Sequence, residues 1–377
     1  MMLDLFGRPQ MLEPETQGIK YAGAKTKLIG AILEMISSVN PKRVFDGFAG
    51  TTRVSQALAR AGYEVIANDT AVWSRTFAEC YLNSRRDNAH YQRIVDHLNS
   101  VPPIHCWFSE HYGGDVLDGE TSRGKDGLKK PFQMHNANKL DAIREEIDRL
   151  ELDQDEKNVA LTSLILALEK VDSTLGHYVS YLNEWSPRSY KSMRLEVPRI
   201  YHNNISHKVY NADTLALTAE VEADVAYFDP PYGSNNEKMP PSRVRYSSYY
   251  HIWKTVILND RPRLFGAACR REDSSDTVGG SVFEDFRRGL SGRFVVVEAI
   301  ERLIQLTKSP NIVLSYSSGG RATAHELTDI LSASGDVDDI IKLSHKKNVM
   351  AHMKWTNDWL RDVDSENIEY LFMLRKY

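Results

Sequence analysis

Residues 43–69 read RVFDGFAGTTRVSQALARAGYEVIAND, and this stretch decides the fold. Arg43-Val-Phe-Asp-Gly47 reads as a buried strand bounded by a glycine turn. Residues 51–61 place Val54, Leu58 and Ala61 on one helical face, and Gly62 stops that helix. Residues 63–69 read as a second strand and 71–82 as a second helix. Strand, helix, strand, helix at this spacing is a βαβ unit, which requires a parallel sheet with right-handed crossovers. The fold class is therefore α/β, with a Rossmann-like sheet.

Working outward, the rhythm stops after residue 83 and resumes at 207. Within 84–206, Gly113-Gly114 and residues 119–130 read as loop. Residues 139–150 form an amphipathic helix through Leu140, Ile143, Ile147 and Leu150, and 158–171 a more apolar, buried one. Pro187, Pro198 and several aromatics follow in an irregular segment. The expected organisation is a domain built from 1–83 and 207–377, with a mainly helical insertion at 84–206. Strands are expected at 207–210, 224–229, 311–316, 337–343 and 368–374, helices near 297–306 and 323–332, and a mobile loop at 233–250.

Of the 377 residues, 42% are hydrophobic and 26% charged, an ordinary globular balance with ample length for a core. No window is apolar enough to span a bilayer, and Met1 to Gln10 lacks the pattern of a secretory leader. Cys80, Cys106 and Cys269 are odd in number and form no CxxC pair, so neither a disulfide framework nor a cysteine zinc site is expected, and a reducing cytoplasm fits. The histidine pair His90 and His97 reads as helix surface, and no metal site is expected. A net charge of −4 argues against a cationic clamp on nucleic acid. Local basic groups exist: Arg188, Lys191, Arg194 and Arg199; Arg243 and Arg245; Arg261, Arg263, Arg270 and Arg271. Such clusters also occur on solvated faces.

Three segments carry candidate chemistry. Gly47 and Gly50 let the backbone turn sharply and approach a ligand at the carboxyl end of a strand, where open α/β sheets bind ligands. The loop lacks the full GxGxxG fingerprint and a P-loop lysine, so alone it reads equally as a plain turn. Asp69 ends the next strand, where an acid can accept both ribose hydroxyls of a nucleoside; the alternative is a helix cap, by Asp69 or by Thr70. Asp229-Pro-Pro-Tyr232 follows an apolar strand directly. Its prolines stiffen the turn and remove two N–H donors, leaving carbonyls free to accept. A carboxylate and a nearby carbonyl accepting the two N–H groups of an aromatic amine would localise its lone pair, and Tyr232 offers a ring for stacking. In isolation the motif is equally a proline turn after a strand.

Together these segments resemble adenine-specific DNA methyltransferases of the class that contains the bacterial Dam enzymes. Ile19-Lys-Tyr-Ala-Gly-Ala-Lys25 resembles that family's first cofactor-contacting motif, with Tyr21 where Trp is frequent and Ala24 where Gly is frequent. The resemblance implies contacts to S-adenosylmethionine from Tyr21 and Lys25, from Asp46, Phe48 and Gly50 of the glycine loop, from Asp69 on the ribose, and from Asp213 and Asp229. Asp213 reads equally as a loop acid or helix cap. The resemblance makes Asp229, Pro230, Pro231 and Tyr232 the catalytic motif. Residues 314–318 and 369–376 look like family strands, and the motif order is that of the Dam arrangement. The resemblance covers 19–83 and 207–377 and leaves the insertion unmatched, as for a specificity module on a catalytic scaffold.

The implied activity is methylation of adenine N6 in double-stranded DNA by base flipping, without a metal. Arg188, Lys191, Arg194, Arg243 and Arg245, interleaved with Tyr190, Tyr246, Tyr249 and Tyr250, are the expected DNA contacts. The implied setting is cytoplasmic, in a bacterium or phage, with a cognate restriction endonuclease as a separate partner. Three rivals stay open: N4-cytosine methylation, methylation of adenine in RNA, and a non-catalytic subunit that binds the cofactor or DNA. An acid at 229 and an intact motif speak against them.

Overall fold

Both faces of β1 (Arg43–Asp46) are buried, Val44 on one side and Phe45 on the other, in a computed structural model that describes residues 14–115, 122–180, 182, 184–232, 246–275, 278, 280–285, 287–345 and 367–377. Such two-sided burial is the mark of a central strand in a parallel sheet. The other main strands are β2 (Glu64–Asn68), β3 (Lys208–Tyr210), β4 (Val225–Phe228), β5 (Asn311–Ser317), β6 (Gly335–His345) and β7 (Asn367–Lys376). They form one seven-stranded sheet in the order β6-β7-β5-β4-β1-β2-β3. The pairs among β1 to β5 are parallel, while β7 runs antiparallel between β5 and β6.

Along the chain the helices are α1 (Ile29–Ser37), α2 (Arg53–Arg60), α3 (Val72–Ala78), α4 (Asn88–Ser100), α5 (Trp107–Tyr112), α6 (Met134–Arg149), α7 (Gln154–Glu169), α8 (Thr214–Leu217), α9 (Tyr246–Tyr249), α10 (His251–Leu258), α11 (Val295–Leu306) and α12 (Ala324–Ser332). α1 and α2 pack on one face of the sheet through Ile32, Leu33, Ile36 and Leu58, with Val44, Tyr227 and Leu371 beneath. α11 and α12 pack on the other through Val297, Ile300, Leu303 and Leu327, against Phe45, Phe228 and Phe372.

Between β2 and β3 the chain leaves the sheet as a helical layer. α7 is apolar nearly all round and packs among α6, α3, α4 and α10. Asp153 and Glu156 form a capping box at its start. The buried carboxylate of Asp141 on α6 gathers the start of α5, accepting from the N–H groups of Cys106, Phe108 and Ser109 and from the Ser109 hydroxyl. The apolar cluster of this layer joins Leu140, Ile143, Leu164 and Leu168 to Trp73, Phe77, Tyr250, Ile252 and Trp253. It therefore draws on chain from both sides of residues 83 and 206.

Two local expectations are corrected. The helix read over 71–82 ends at Ala78 and widens into a π-helical turn, Glu79–Asn83, closed by Asn83 donating to Glu79 at 2.8 Å. Of the loop read over 233–250, residues 233–245 lie outside the described residues, but Tyr246–Tyr249 is helical and Tyr250 is 1% exposed. The aromatic side chains of this segment have partners to pack against, which turns a polar-looking loop into a helix start. His90 and His97 bond carboxylates of Glu156 and Glu146, and no group of metal-ligating side chains occurs among the described residues. The three cysteines are free, and no helix of the described residues is long and apolar enough to cross a membrane.

Candidate active site

A cavity of about 510 Å³ has Tyr21, Lys25, Phe48, Gly50, Asp69, Asp213, Asp229 and Pro231 in its wall. It lies at the carboxyl ends of β1, β2 and β4, the edge at which open parallel sheets place ligands.

The glycine loop is shaped by packing as much as by any ligand. A Cβ on Gly47 would stand 2.7 Å from the Phe228 ring, so only glycine lets β1 leave the sheet this close to β4. Gly50 has φ +52° and would carry its Cβ 3.2 Å from the Tyr21 ring. Its N–H donates to Asp69 Oδ2 at 2.8 Å, while Asp69 Oδ1 accepts from the Ala71 N–H at 2.9 Å. α3 starts from Ala71 without a side-chain cap, so Asp69 braces the glycine loop and neither it nor Thr70 is the helix cap. Burial, opposed by these N–H groups, raises the pKa of Asp69. Asn68 ties the next segment in: its amide donates to Ala212 O and Thr214 Oγ1, and Thr214 in turn donates to Gly47 O at 2.8 Å. Asp213 stays exposed on the cavity rim and caps α8 through the Ala216 N–H.

Asp46 lies beneath this wall rather than in it. Its Oδ2 accepts from Ser55 at 2.6 Å, and its Oδ1 is buried without a partner among the described residues. Burial, only partly offset by Ser55 and reinforced by Asp229 and Asp69, pushes its carboxyl up to about 7. Phe48 meets Phe228 and Phe283 edge to face. Tyr21 stacks on Tyr250 with centroids 4.6 Å apart, and Tyr250 on Trp253 at 4.4 Å. The Tyr250 hydroxyl also accepts from the Ala22 N–H at 2.8 Å. The N-terminal motif is thereby fastened to α10.

The catalytic motif closes on a buried polar cluster. Lys25 Nζ lies 3.0 Å from Asp229 Oδ1 and 2.9 Å from Glu369 Oε1, and 4.5 Å above the Tyr232 ring. The Tyr232 hydroxyl donates towards the same two oxygens. Asp229 Oδ2 has no protein partner among the described residues. Burial raises the Asp229 carboxyl to about 6; Lys25 and Tyr232 oppose the rise and Glu369 adds to it. Burial works against the Lys25 ammonium, yet Asp229 and Glu369 outweigh it and raise its pKa. Tyr232 is turned inward, its ring 4.7 Å from that of Tyr316 and its carbonyl accepting from Tyr316 and the Arg321 N–H.

The site thus brings together Tyr21, Lys25, Phe48, Gly50, Asp69, Asp213, Asp229 and Pro231, with Asp46 below and Tyr232 behind. Glu369 was not singled out as a site residue by sequence. Its signal was an acid at the head of the apolar run Tyr370-Leu-Phe-Met-Leu374. Of the basic residues read as DNA contacts, Lys191 and Arg194 are exposed. Arg188 instead pairs with the buried Asp172 and donates to the carbonyls of Asp172 and Thr174. Arg243 and Arg245 lie outside the described residues.

Asp69, Asp213, Asp229, Asp273 and Glu284 line the cavity with Asp46 beneath, against Lys25, Lys254 and Arg53, and Lys25 and Lys254 are already engaged by acids; this excess of carboxylates suits a ligand that brings positive charge and hydrogen-bond donors. S-adenosylmethionine, with a sulfonium, an ammonium and ribose hydroxyls, has that chemistry.

Sheet order and site define a protein with the architecture of a nucleotide-cofactor methyltransferase. The chain belongs to the D12 class N6 adenine-specific DNA methyltransferase family, whose sequence profile matches residues 21–283. It is 28% identical over 341 residues to the modification methylase StsI of Streptococcus sanguinis, covering 87% of this chain and 48% of that protein. It is 25% identical over 372 residues to the type II methyltransferase M.FokI of Planomicrobium okeanokoites, covering 95% and 53%. To M.NlaIII of Neisseria lactamica it is 25% identical over 329 residues, covering 85% and 90%. The chain spans about half the length of StsI and M.FokI.

Proposed function

We propose that this chain methylates adenine N6 in double-stranded DNA, with S-adenosylmethionine as donor. The observation that carries the reading is Asp229, a half-buried carboxylate at the end of β4 that faces the cavity. One oxygen is held by Lys25 and Tyr232, and the other is left for a donor in the cavity. An adenine amine is a weak nucleophile because its lone pair is delocalised into the ring. Asp229 Oδ2 accepting one N–H, with the Pro230 carbonyl accepting the other, localises that pair. S-adenosylmethionine, when bound, supplies a methyl group activated by its sulfonium. Tyr21 and Phe48 wall its apolar parts, Asp69 and Asp213 accept from its hydroxyl and amine donors, and Asp46 lies below, tied to Ser55 of α2. Lys25 serves the cofactor side through Asp229, which it holds in place. The base must leave the duplex, at about a few kcal/mol. For Tyr232 to stack on it, the ring must turn out from Asp229 and Glu369.

We assign catalysis to 1–83 and 207–377, and target recognition to 84–206 together with Arg243 and Arg245. Lys191 and Arg194 are the phosphate contacts in the insertion. The cytoplasm is the compartment where a bacterial or phage DNA substrate lies, and a separately acting endonuclease is the counterpart of a modification methylase. The test is to incubate the protein with S-adenosylmethionine and unmethylated duplex DNA, beside Asp229→Ala, and to analyse digested nucleosides by mass spectrometry. N6-methyladenine from the unmutated protein alone is the expected result. Methylcytosine, or no methylated nucleoside on varied DNA, overturns the reading.

A further inference from the structure

β7 runs antiparallel to β5, so its first residues lie beside the carboxyl ends of the parallel strands. This brings Glu369, nearly at the end of the chain, to the edge where Asp229 sits. Glu369 is 8% exposed and follows the face of Leu371 and Met373. Its Oε1 is shared by Lys25 at 2.9 Å, by the Tyr232 hydroxyl and, at 3.5 Å, by Ser315 Oγ.

A buried charge of this kind is retained only with partners, and removing one partner is costly. Lys25 balances one carboxylate, not two. With Glu369 ionised, the group Lys25, Asp229 and Glu369 carries a net charge of −1; without it the group is a neutral ion pair. The amine nitrogen gains positive charge as the methyl group arrives, so a fixed negative charge beside it stabilises the transition state more than the ground state. Glu369 also gives Lys25 and Tyr232 a second acceptor, which keeps both from settling wholly on Asp229.

We infer that Glu369 is a positioning residue of the methyl transfer. It acts through Lys25 and Tyr232, whose shared acceptor it is, to hold Asp229 oriented and available to the target amine. This rests on the function proposed above. The ionisable groups facing Asp229 are Lys25 from the segment before α1, Tyr232 from the catalytic turn, Glu369 from β7, Tyr227 from β4 and Asp46 from β1.

The test compares the unmutated protein with Glu369→Gln and Glu369→Asp in single- and multiple-turnover methylation across pH. It is paired with a carbon-13 titration of the Asp229 carboxyl, assigned with Asp229→Asn. Glu369→Gln is expected to lower kcat by about 10- to 100-fold, leaving KM for DNA and cofactor little changed. Its acid limb and the Asp229 titration should move to lower pH, because a like charge is gone. Glu369→Asp should recover part of kcat. Unchanged kcat, or a loss of kcat with the Asp229 titration unmoved, overturns the inference. Should the unmutated protein make no N6-methyladenine, the functional reading fails on its own, and the titration still decides whether Glu369 governs Asp229.

Discussion

In the proposed reaction Asp229 draws most strongly on the target amine as a carboxylate, yet its partial burial favours the protonated form. A carboxyl raised to about 6 is mostly charged at neutral pH and becomes protonated as the pH falls through that value. The methyl-transfer rate is therefore expected to drop about tenfold per unit below pH 6, as read from single-turnover rates between pH 5 and 8. A limb near 4 would show the carboxyl to be unperturbed. Stability has the opposite sign. The folded state holds a proton that the unfolded chain releases, so this group's contribution is full below the unfolded pKa and is lost as pH rises through about 6. Asp229→Asn should then abolish activity while raising Tm at pH 8 by roughly 2–5 °C, a separation of function from stability that calorimetry can check. Which residues come together was largely legible: Asp229, Asp69, Tyr21 and Lys25 announce themselves by motif and share one cavity wall. Their partners do not. That Lys25 faces Asp229 and Glu369 depends on where three distant segments meet, and that Arg188 pairs inward depends on the buried Asp172.

Elements place these groups. The glycine loop holds Gly50 in the left-handed region beside the Tyr21 ring, so Gly50→Ala combines a strained backbone, about 1–2 kcal/mol, with displacement of that ring. Cofactor affinity measured by calorimetry should fall more than Tm suggests; unaltered affinity would mean that Tyr21 is no part of the wall. In the helical layer, Asp141→Ala leaves three N–H groups and a hydroxyl at the start of α5 without an acceptor. A loss of about 2–4 kcal/mol is expected in urea unfolding, and a loss under 1 kcal/mol would show that water replaces the carboxylate. The βαβ start, the strands after residue 207 and the helices near 297–306 and 323–332 could be read because one residue pattern fits one geometry. α10 escaped notice although Ile252, Trp253 and Val256 have helical spacing, because its tyrosine-rich approach reads equally as an exposed stacking surface. α4 showed only in the helix-surface reading of His90 and His97, and its bounds were not drawn because only Tyr91, Val95 and Leu98 among its thirteen residues are buried.

At the scale of the whole molecule, an overall charge of −4 leaves the proposed DNA binding to local cations. Lys191→Ala and Arg194→Ala are expected to weaken binding about equally on any sequence, each reducing the slope of log affinity against log salt by about 1. Arg188→Ala should instead lower Tm, by unpairing Asp172, with little change in that slope. Fluorescence titrations at several salt concentrations distinguish the two outcomes, and an unchanged slope for Lys191→Ala and Arg194→Ala would remove them from the interface. The helical character of 84–206 was legible from composition and periodicity. The way that layer is rooted was not, since its apolar cluster is completed by Trp73, Phe77, Tyr250 and Trp253, which are remote in sequence.

That rooting sets a rule for anyone who would re-target such an enzyme by exchange of parts. A graft of 84–206 alone would set foreign helices against Trp73, Tyr250 and Trp253, and through Tyr250 would unsettle Tyr21 in the cavity wall. If target recognition lies in 84–206 as proposed, the part to move is the helical layer together with α3 and the span from α9 through α10, with the Tyr250 contacts to Tyr21 and the Ala22 N–H kept.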